Sequence, residues 1–275
     1  MQRDHCLQLL RDADPDRYLA CLWLPAVYRG AVSSLYAFNA EITRIPALVS
    51  EPMPGEIRLQ WWREVIEGKR ESGDNPVAVA LLDAISAHDL PATALLSYLD
   101  ARVFDLYHDP MPDRPMFEAY AGETASVLLQ MVAQCAGAPR GRALADACGH
   151  GGVAQTIAAV LRSVSLHRHQ KRCYLPGDVL VSTGLDVETW LNEPPDNRHV
   201  SAVEAMLAWG RDHLTKSREA IADLDNSLRP VLLPLAPLPA YFDAAGRTGM
   251  DIFTSVPDIS PLKRQWIFAK KALIG

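Results

Sequence analysis

A segment between Gly149 and Asp178 carries a dense set of groups suited to acid–base and anion-binding chemistry. Its charged and imidazole side chains are grouped as follows: His167, Arg168, His169, Lys171 and Arg172. Guanidinium and ammonium groups gathered in one loop bind phosphate or carboxylate groups. The two histidines have no further His or Cys neighbours at ligand spacing, which predicts exposed loop side chains rather than a metal site. The segment therefore predicts either a solvated basic turn after a core helix or an anion-binding loop.

A second segment, YAFNAEITRIPALVSE, begins at Tyr36 with the end of an apolar, helix-like run. Carboxylates four residues apart on a helix share one face and can hold Mg²⁺ through their oxygens. The positions after the run that could be compared with such a helix carry no carboxylate: Asn39, Thr43, Arg44 and Ala47. Pro46 predicts that the helix kinks or ends at this point. The segment therefore looks like the approach to a metal site that lacks its ligands.

Helices must position these segments, because apolar residues recur at spacings of three and four over most of the chain. The periodicity predicts helices in these stretches: Ala78–His88, Ala92–Tyr107, Phe117–Cys135, Arg142–His169 and Val200–Leu224. Proline and glycine breaks separate them, and runs of the alternating type that predict strands are absent. Small residues around Gly151 and Gly152 predict that neighbouring helices approach closely there. With no repeat and no long linker, the sequence predicts one all-α domain over residues 1–275.

Composition limits the class of protein. The formal net charge is −6, whereas a chain-wide nucleic-acid binder is usually basic, so no nucleic-acid partner is expected. The cysteines have no zinc spacing, which predicts reduced thiols: Cys6, Cys21, Cys135, Cys148 and Cys173. The N-terminus lacks an apolar signal segment and no run of about 18 apolar residues occurs, so we expect a cytoplasmic location. The apolar stretch Val231–Ala240 leaves peripheral contact with the inner face of the cytoplasmic membrane open.

Several short motifs occur in a fixed order along nearly the whole chain. They are Arg29, seven residues before Tyr36-Ala37-Phe38; the run Arg58–Glu64; Tyr120 within EAYAGETASVLL; Leu161-Arg162; and Arg172-x-Tyr174-Leu175-Pro176. In this order and at these spacings the chain resembles the squalene/phytoene synthase family. The resemblance implies the all-α isoprenoid-synthase fold with a central cavity between its helices.

Active members of that family join two prenyl diphosphates head to head, and two aspartate-rich helical motifs hold the Mg²⁺ that draws off the diphosphate. Aligned without gaps, the acidic positions of both motifs fall on other residues: Thr43, Arg44, Ala47, Ser163, Leu166 and His167. A Phe-Ser pair of the family falls on Arg17 and Tyr18. Glu41 lies on roughly the opposite helix face and cannot replace the lost aspartates. The resemblance therefore implies a degenerate site with no catalytic residue, no metal ligand and no cofactor, and Mg²⁺ only if the chain is an enzyme.

Some side chains near these positions could meet an anion or diphosphate directly, without a metal: Arg29, Arg44, Arg162, Arg172 and Tyr174. Such a site would bind a diphosphate but would not obviously ionise it. The implied cavity would be an apolar tunnel lined near Phe38, Leu128 and Val160. It is either open, and able to take an isoprenoid or quinone tail, or collapsed into core.

Four further side chains receive structural interpretations. We expect Trp61 and Trp62 to pack in the core or between helices rather than to stack on a prenyl chain. Asp105 and Glu123 lie on predicted helices, where a solvated face is expected for both.

A narrower resemblance, to the complex I assembly factor subgroup of the same family, rests on three matches. They are Tyr18-Leu19, Phe38-Asn39-Ala40-Glu41 and Asp251-Ile252-Phe253. That subgroup is regarded as non-enzymatic, so the resemblance implies a non-catalytic factor in assembly of respiratory complex I (NADH:ubiquinone oxidoreductase), with complex I subunits or assembly factors as partners. Two alternatives stay open: a Mg²⁺-dependent head-to-head prenyltransferase making squalene- or phytoene-type products, and a protein that binds a prenyl lipid or quinone.

Overall fold

The computed structural model describes residues 2–139 and 141–274. Its α-helices are α1 (Gln2–Ala13), α2 (Pro15–Leu22), α3 (Ala26–Arg44), α4 (Pro52–Ile66), α5 (Pro76–His88), α6 (Ala92–Arg102), α7 (Arg114–Ala121), α8 (Val127–Cys135), α9 (Arg142–Arg162), α10 (Val164–His169), α11 (Gly177–Ser182), α12 (Val187–Asn192), α13 (Asn197–Ala222), α14 (Leu238–Thr248) and α15 (Pro261–Ile274). No β-strand occurs within the described ranges. The all-α prediction is confirmed.

The predicted helices exist, but three of them are interrupted. The segment Ala92–Tyr107 leaves α-helical geometry after α6 and tightens into a 3-10 turn over Val103–Leu106. The segment Phe117–Cys135 contains a π-helical turn at Gly122–Ser126 between α7 and α8. The segment Arg142–His169 breaks at Ser163, whose amide bonds to the carbonyl three residues back instead of four. All three irregular turns supply residues to the cavity described below.

Pro46 ends its helix as predicted. Helix α3 stops at Arg44 and passes into a 3-10 turn over Ile45–Ala47. Proline lacks the N–H that would continue the α-helical ladder, so the chain turns there. This turn fixes where the side chains of the first degenerate motif point.

The core is built around α9 and α13, which pack along each other and bury small residues at their contacts. A Cβ atom on Gly152 would lie 2.5 Å from the backbone nitrogen of Ser126, closer than real side chains come. A Cβ on Gly151 would meet Leu235 and Ser217. The predicted close approach at these two glycines is therefore present, and it draws α9 against the π-helical turn.

Aromatic and thiol groups behave largely as predicted. Trp62 is buried and packs edge-on against Phe38, while Trp61 is half-buried beside it. All five cysteines are buried and free. Within the described residues no helix is long and apolar enough to cross a membrane.

Candidate functional site

A cavity of about 650 Å³ lies between the helices and contains the positions singled out in the sequence. Its wall is supplied mainly by α2, α3, α9 and α10, with additions from the irregular turns and from α14 and α15. The cavity is therefore open, not collapsed. Val160 lines it as expected, whereas Phe38 and Leu128 do not and belong to the packed core.

The two degenerate motifs meet in this cavity. The first contributes three residues from the end of α3 and the following turn: Thr43, Arg44 and Ala47. The second contributes four from the end of α9 and from α10: Ala159, Ser163, Leu166 and His167. The Thr43 hydroxyl donates to the carbonyl of Asn39 at 2.9 Å, which ties it to its own helix. Where a metal site would need carboxylates, the two motifs therefore present hydroxyl groups, apolar side chains, one imidazole and one guanidinium group.

Asp105 corrects the sequence prediction, because it is a buried wall residue and not a solvated helix residue. It lies in the 3-10 turn after α6 and is 6% exposed. The hydroxyls of Tyr120 and Tyr174 donate to its Oδ1 at 2.8 and 2.9 Å, and Nη1 of Arg102 donates to its Oδ2 at 3.0 Å. Arg172 donates to its backbone carbonyl at 2.5 Å. Glu123, by contrast, is exposed as predicted.

Burial and the Asp105 carboxylate set the protonation of this network. Burial raises the pKa of Tyr120 well above its ordinary value, and Asp105 adds to the increase. Burial alone would lower the pKa of Arg102, but Tyr120, Tyr98 and Asp105 raise it above its usual range. The tyrosines are therefore neutral donors and the arginine is charged, which matches the hydrogen bonds they make.

His167 is the second correction. It was expected as an exposed loop side chain, but it is half-buried in α10 and its ring lies 4.6 Å from the ring of Tyr174. Burial, followed by the nearby charge of Arg172, lowers its pKa to about 4. His167 is therefore neutral at physiological pH and brings hydrogen-bonding capacity to the wall without charge. His169, two residues on, is exposed as predicted.

The proposed anion-binding residues separate into two groups. Arg44, Arg162, Arg172 and Tyr174 all line the cavity. Arg162 stacks 4.1 Å from the ring centre of Tyr241 and pairs with a carboxylate outside the wall, so part of its donor capacity is already used.

Arg29 does not line the cavity. Its Nη2 donates to the carbonyls of Leu22 and Leu24, at the end of α2, at 3.3 and 2.8 Å. A guanidinium at a helix C-terminus satisfies carbonyls that have no partner within the helix. The position of Arg29 is therefore explained by capping.

Arg168 and Lys171 favour the interpretation of this loop as a basic turn after a core helix over that as an anion-binding loop, although their donors meet protein oxygens and not only solvent. Arg168 donates to the carbonyl of Glu193 at 2.6 Å, and Lys171 donates to Leu191 and Asn192 at the end of α12. These contacts hold α12 against the loop. Only Arg172 and His167 of this cluster turn into the cavity wall.

Sequence reasoning missed further charged groups that reach the cavity from distant segments. Arg17 pairs with Asp14 at 2.8 Å, lies over the ring of Tyr36 and lines the wall where the family pattern has Phe-Ser. Arg264 in α15 pairs with Asp16 at 3.0 Å. A sequence signal for Arg17 was present, since it stands where the family pattern has the phenylalanine of its Phe-Ser pair. No sequence signal indicated that Arg264 would pair with Asp16.

The cavity carries an excess of positive charge. Its guanidinium groups come from six residues: Arg17, Arg44, Arg102, Arg162, Arg172 and Arg264. Among the residues that the structure describes, three carboxylates line it, from Asp14, Asp16 and Asp105. The protein as a whole is acidic, so this is a local reversal of sign that favours anions.

Comparison with known proteins agrees with the motif order and the fold. The sequence profile described as Squalene/phytoene synthase matches residues 10–264. The chain belongs to the squalene/phytoene synthase family. Its similar relatives include "NADH dehydrogenase (ubiquinone) complex I, assembly factor 6" of Rattus norvegicus, 31% identical over 251 residues, covering 90% of this chain and 75% of that protein. The Homo sapiens protein of the same name is 30% identical over 253 residues, covering 91% and 76%.

Solved structures of squalene/phytoene synthase family type share the fold at low identity. The squalene synthase HpnC from Alicyclobacillus acidocaldarius is 16% identical, with a TM-score of 0.76 over 90% of this chain and 94% of that one. A dehydrosqualene synthase in complex with a ligand is also 16% identical, with a TM-score of 0.79 over 98% and 95%. The predicted isoprenoid-synthase fold is confirmed.

The Mg²⁺ ions of active squalene/phytoene synthase family members do not fit the residues of this cavity. In proteins Mg²⁺ is usually bound through one or two carboxylates together with water molecules and substrate phosphates. The carboxylates present are engaged: Asp14 by Arg17, Asp16 by Arg264 and Tyr241, and Asp105 by its arginine and tyrosines. Across the described ranges no three acidic, His or Cys side chains are grouped as metal ligands.

Proposed function

We propose that this chain is a non-catalytic member of the squalene/phytoene synthase family that acts in the assembly of respiratory complex I. The observation that carries the proposal is that the motif positions lining the cavity hold Thr43, Ala47, Ser163 and His167 instead of carboxylates. The relatives named as complex I assembly factors support the assembly role, because they match about nine-tenths of the chain.

The chemical argument against prenyl transfer is one of charge. Ionisation of a prenyl diphosphate is assisted by metal ions that neutralise the departing group, a contribution of several kcal/mol. Each ~1.4 kcal/mol corresponds to about tenfold in rate. Arginines in the wall can bind the diphosphate, but those that pair with Asp14, Asp16 and Asp105 have part of their charge neutralised already. The cavity therefore favours holding an anion over driving its departure.

The cavity suits an organic ligand that carries an anionic head group. A volume of about 650 Å³ accommodates a small organic ligand, and the arginine-rich wall favours an anionic head group. We propose an isoprenoid bearing a phosphate or diphosphate as this ligand, with a quinone tail as the uncharged competitor. Complex I subunits or assembly factors are the proposed protein partners, met at the inner face of the cytoplasmic membrane.

The enzyme alternative is tested by incubating the purified chain with farnesyl or geranylgeranyl diphosphate and Mg²⁺ and measuring hydrocarbon product. We expect binding without turnover. A metal-dependent product that disappears in the Arg162→Ala variant would establish a prenyltransferase and sink the proposal.

The assembly role is tested separately by deleting the gene in its source organism. NADH:ubiquinone oxidoreductase activity of the membranes should fall, while carotenoid and hopanoid levels hold, and the wild-type gene supplied in trans should restore the activity. Unchanged oxidoreductase activity would contradict the role.

A further inference from the structure

Helix α15 presents large apolar side chains to solvent. Leu262, Trp266 and Leu273 are 77%, 66% and 74% exposed. At 3.6 residues per turn these three side chains fall within about 40° of one another around the helix axis. They form one narrow stripe, named here the outer stripe of α15, rather than scattered apolar residues of the ordinary surface kind.

The orientation of this helix is fixed by its opposite face. Phe268 is fully buried and packs in a small apolar cluster with Ala20 and Leu233. Arg264 pairs with Asp16, one helical turn before the Phe268 contact, so α15 and α2 run side by side in the same direction. Because this inner face is anchored, the outer stripe cannot turn inward.

The charged residues around the stripe are positive, whereas the chain as a whole has a negative net charge. The chain has a net charge of −6, yet α15 contains Lys263, Arg264, Lys270 and Lys271 and no acidic residue. Lys263 and Lys270 lie about 80° and 60° from the centre of the outer stripe, beside it on the same side of the helix. Tryptophan and leucine flanked by lysines is the pattern of a helix that lies in the headgroup region of an anionic bilayer.

We propose that the outer stripe of α15 docks on the surface of an anionic lipid bilayer. The apolar stripe enters the boundary between headgroups and acyl chains, and Lys263 and Lys270 meet the lipid phosphates. The lipid surface is favoured over a second copy of the chain because a two-fold contact through the stripe would gather the lysines of both copies at one interface, where like charges repel. The inference stands without the assembly role, since it rests on α15 alone.

Docking of this kind has a consequence for the cavity. Arg264, on the inner face of α15, lines the cavity wall. A helix with its side chains is roughly 10 Å across, so a docked α15 would hold the cavity about one helix diameter from the lipid.

The test is flotation of the full chain with two kinds of vesicle, one of phosphatidylcholine alone and one that also contains phosphatidylglycerol. We expect binding to the anionic vesicles, weakened by added salt. Trp266→Ser should weaken it about tenfold, and Lys263→Gln with Lys270→Gln about thirtyfold. Val181→Ser is the matched control, because Val181 is 72% exposed on α11 and should leave binding unchanged.

Two outcomes would overturn the proposal. One is no flotation with anionic vesicles while thermal unfolding shows the chain to be folded. The other is a dimer, measured by analytical ultracentrifugation, that Trp266→Ser dissociates and that does not bind vesicles; it would assign the stripe to a second copy. The lysine variant separates binding from misfolding, since its substitutions are exposed and leave Phe268 in place.

Discussion

The hydroxyl of Tyr120 donates to the carboxylate of Asp105 across 2.8 Å, in the wall of the cavity that contains both degenerate motifs. Tyr174 and Arg102 share the same carboxylate. A buried carboxylate surrounded by three donors is stabilised where it is, and its oxygens are not free to bind a cation. Asp105 is therefore an acidic residue of the cavity wall whose oxygens are already engaged by protein donors.

Asp105→Asn should destabilise the fold strongly. The substitution leaves the charge of Arg102 buried without its counter-ion, which costs about 3–5 kcal/mol. Urea unfolding followed by circular dichroism measures the change in the free energy of unfolding. Asp83→Asn, on the exposed face of α5, is the control and should change it by less than about 0.5 kcal/mol. Equal effects at the two positions would contradict the assigned network.

Gly152→Ala should destabilise the contact between α9 and the π-helical turn. The added methyl group would lie 2.5 Å from the backbone nitrogen of Ser126, and backbone yields less easily than a side chain, so we expect a loss of about 1–3 kcal/mol. Gly149→Ala lies in the same helix with nothing near its Cβ position and should stabilise by about 0.5–1 kcal/mol. Opposite signs in thermal unfolding are the expected result; a neutral Gly152→Ala would show that the helices can separate there.

Arg44→Gln should weaken anion binding without harming the fold. Arg44 is exposed at the end of α3 and lines the cavity, so its charge faces a bound diphosphate while its loss leaves the core intact. We expect the affinity for inorganic pyrophosphate, measured by calorimetry, to fall about fivefold, or roughly 1 kcal/mol. Arg142→Gln, exposed at the start of α9 and outside the cavity, should bind as the wild type does. Equal loss in both variants would place the anion elsewhere.

His167 should make stability depend on pH in the acid range. Burial and Arg172 lower the pKa of His167 to about 4 in the folded chain, from 6.5 for a free side chain. The unfolded chain therefore takes up the proton first, and the free energy of unfolding falls as the pH drops from about 6.5 towards about 4. His167→Asn should remove this part of the slope in urea titrations, whereas His169→Asn should not, since His169 is exposed. An unchanged slope in His167→Asn would show that other groups cause it.

Local sequence pattern predicted the helices and several of their ends. Apolar spacing located the segments that became α5, α9 and α13, and Pro46 ended α3 where its missing N–H required. The pattern did not locate the interruptions at Val103 and Ser163, because a 3-10 turn uses the same residue types as the helix around it. Their positions depend on packing against other helices.

The candidate site was predicted in part. Thr43, Arg44, Ser163 and His167 all reached one cavity, as the motif spacing implied. Arg29 does not reach the cavity and instead binds carbonyl groups at the end of α2. Asp105 was expected in solvent, but it lies at the centre of a buried hydrogen-bond network.

The sequence by itself determined which side chain stands at each motif position, because no fold can place a carboxylate where the chain carries Thr43, Ala47 or Leu166. It also determined the helical class, through the spacing of apolar residues. Only the tertiary structure decided which polar and charged groups meet. Arg17 and Gln155, or Asp16 and Arg264, are far apart in the chain and contact each other because α2, α9 and α15 pack around one cavity. Helical periodicity reports which face of a helix is buried but not which helix covers it, so partners across the cavity and the solvent-facing stripe of α15 had to come from the packing.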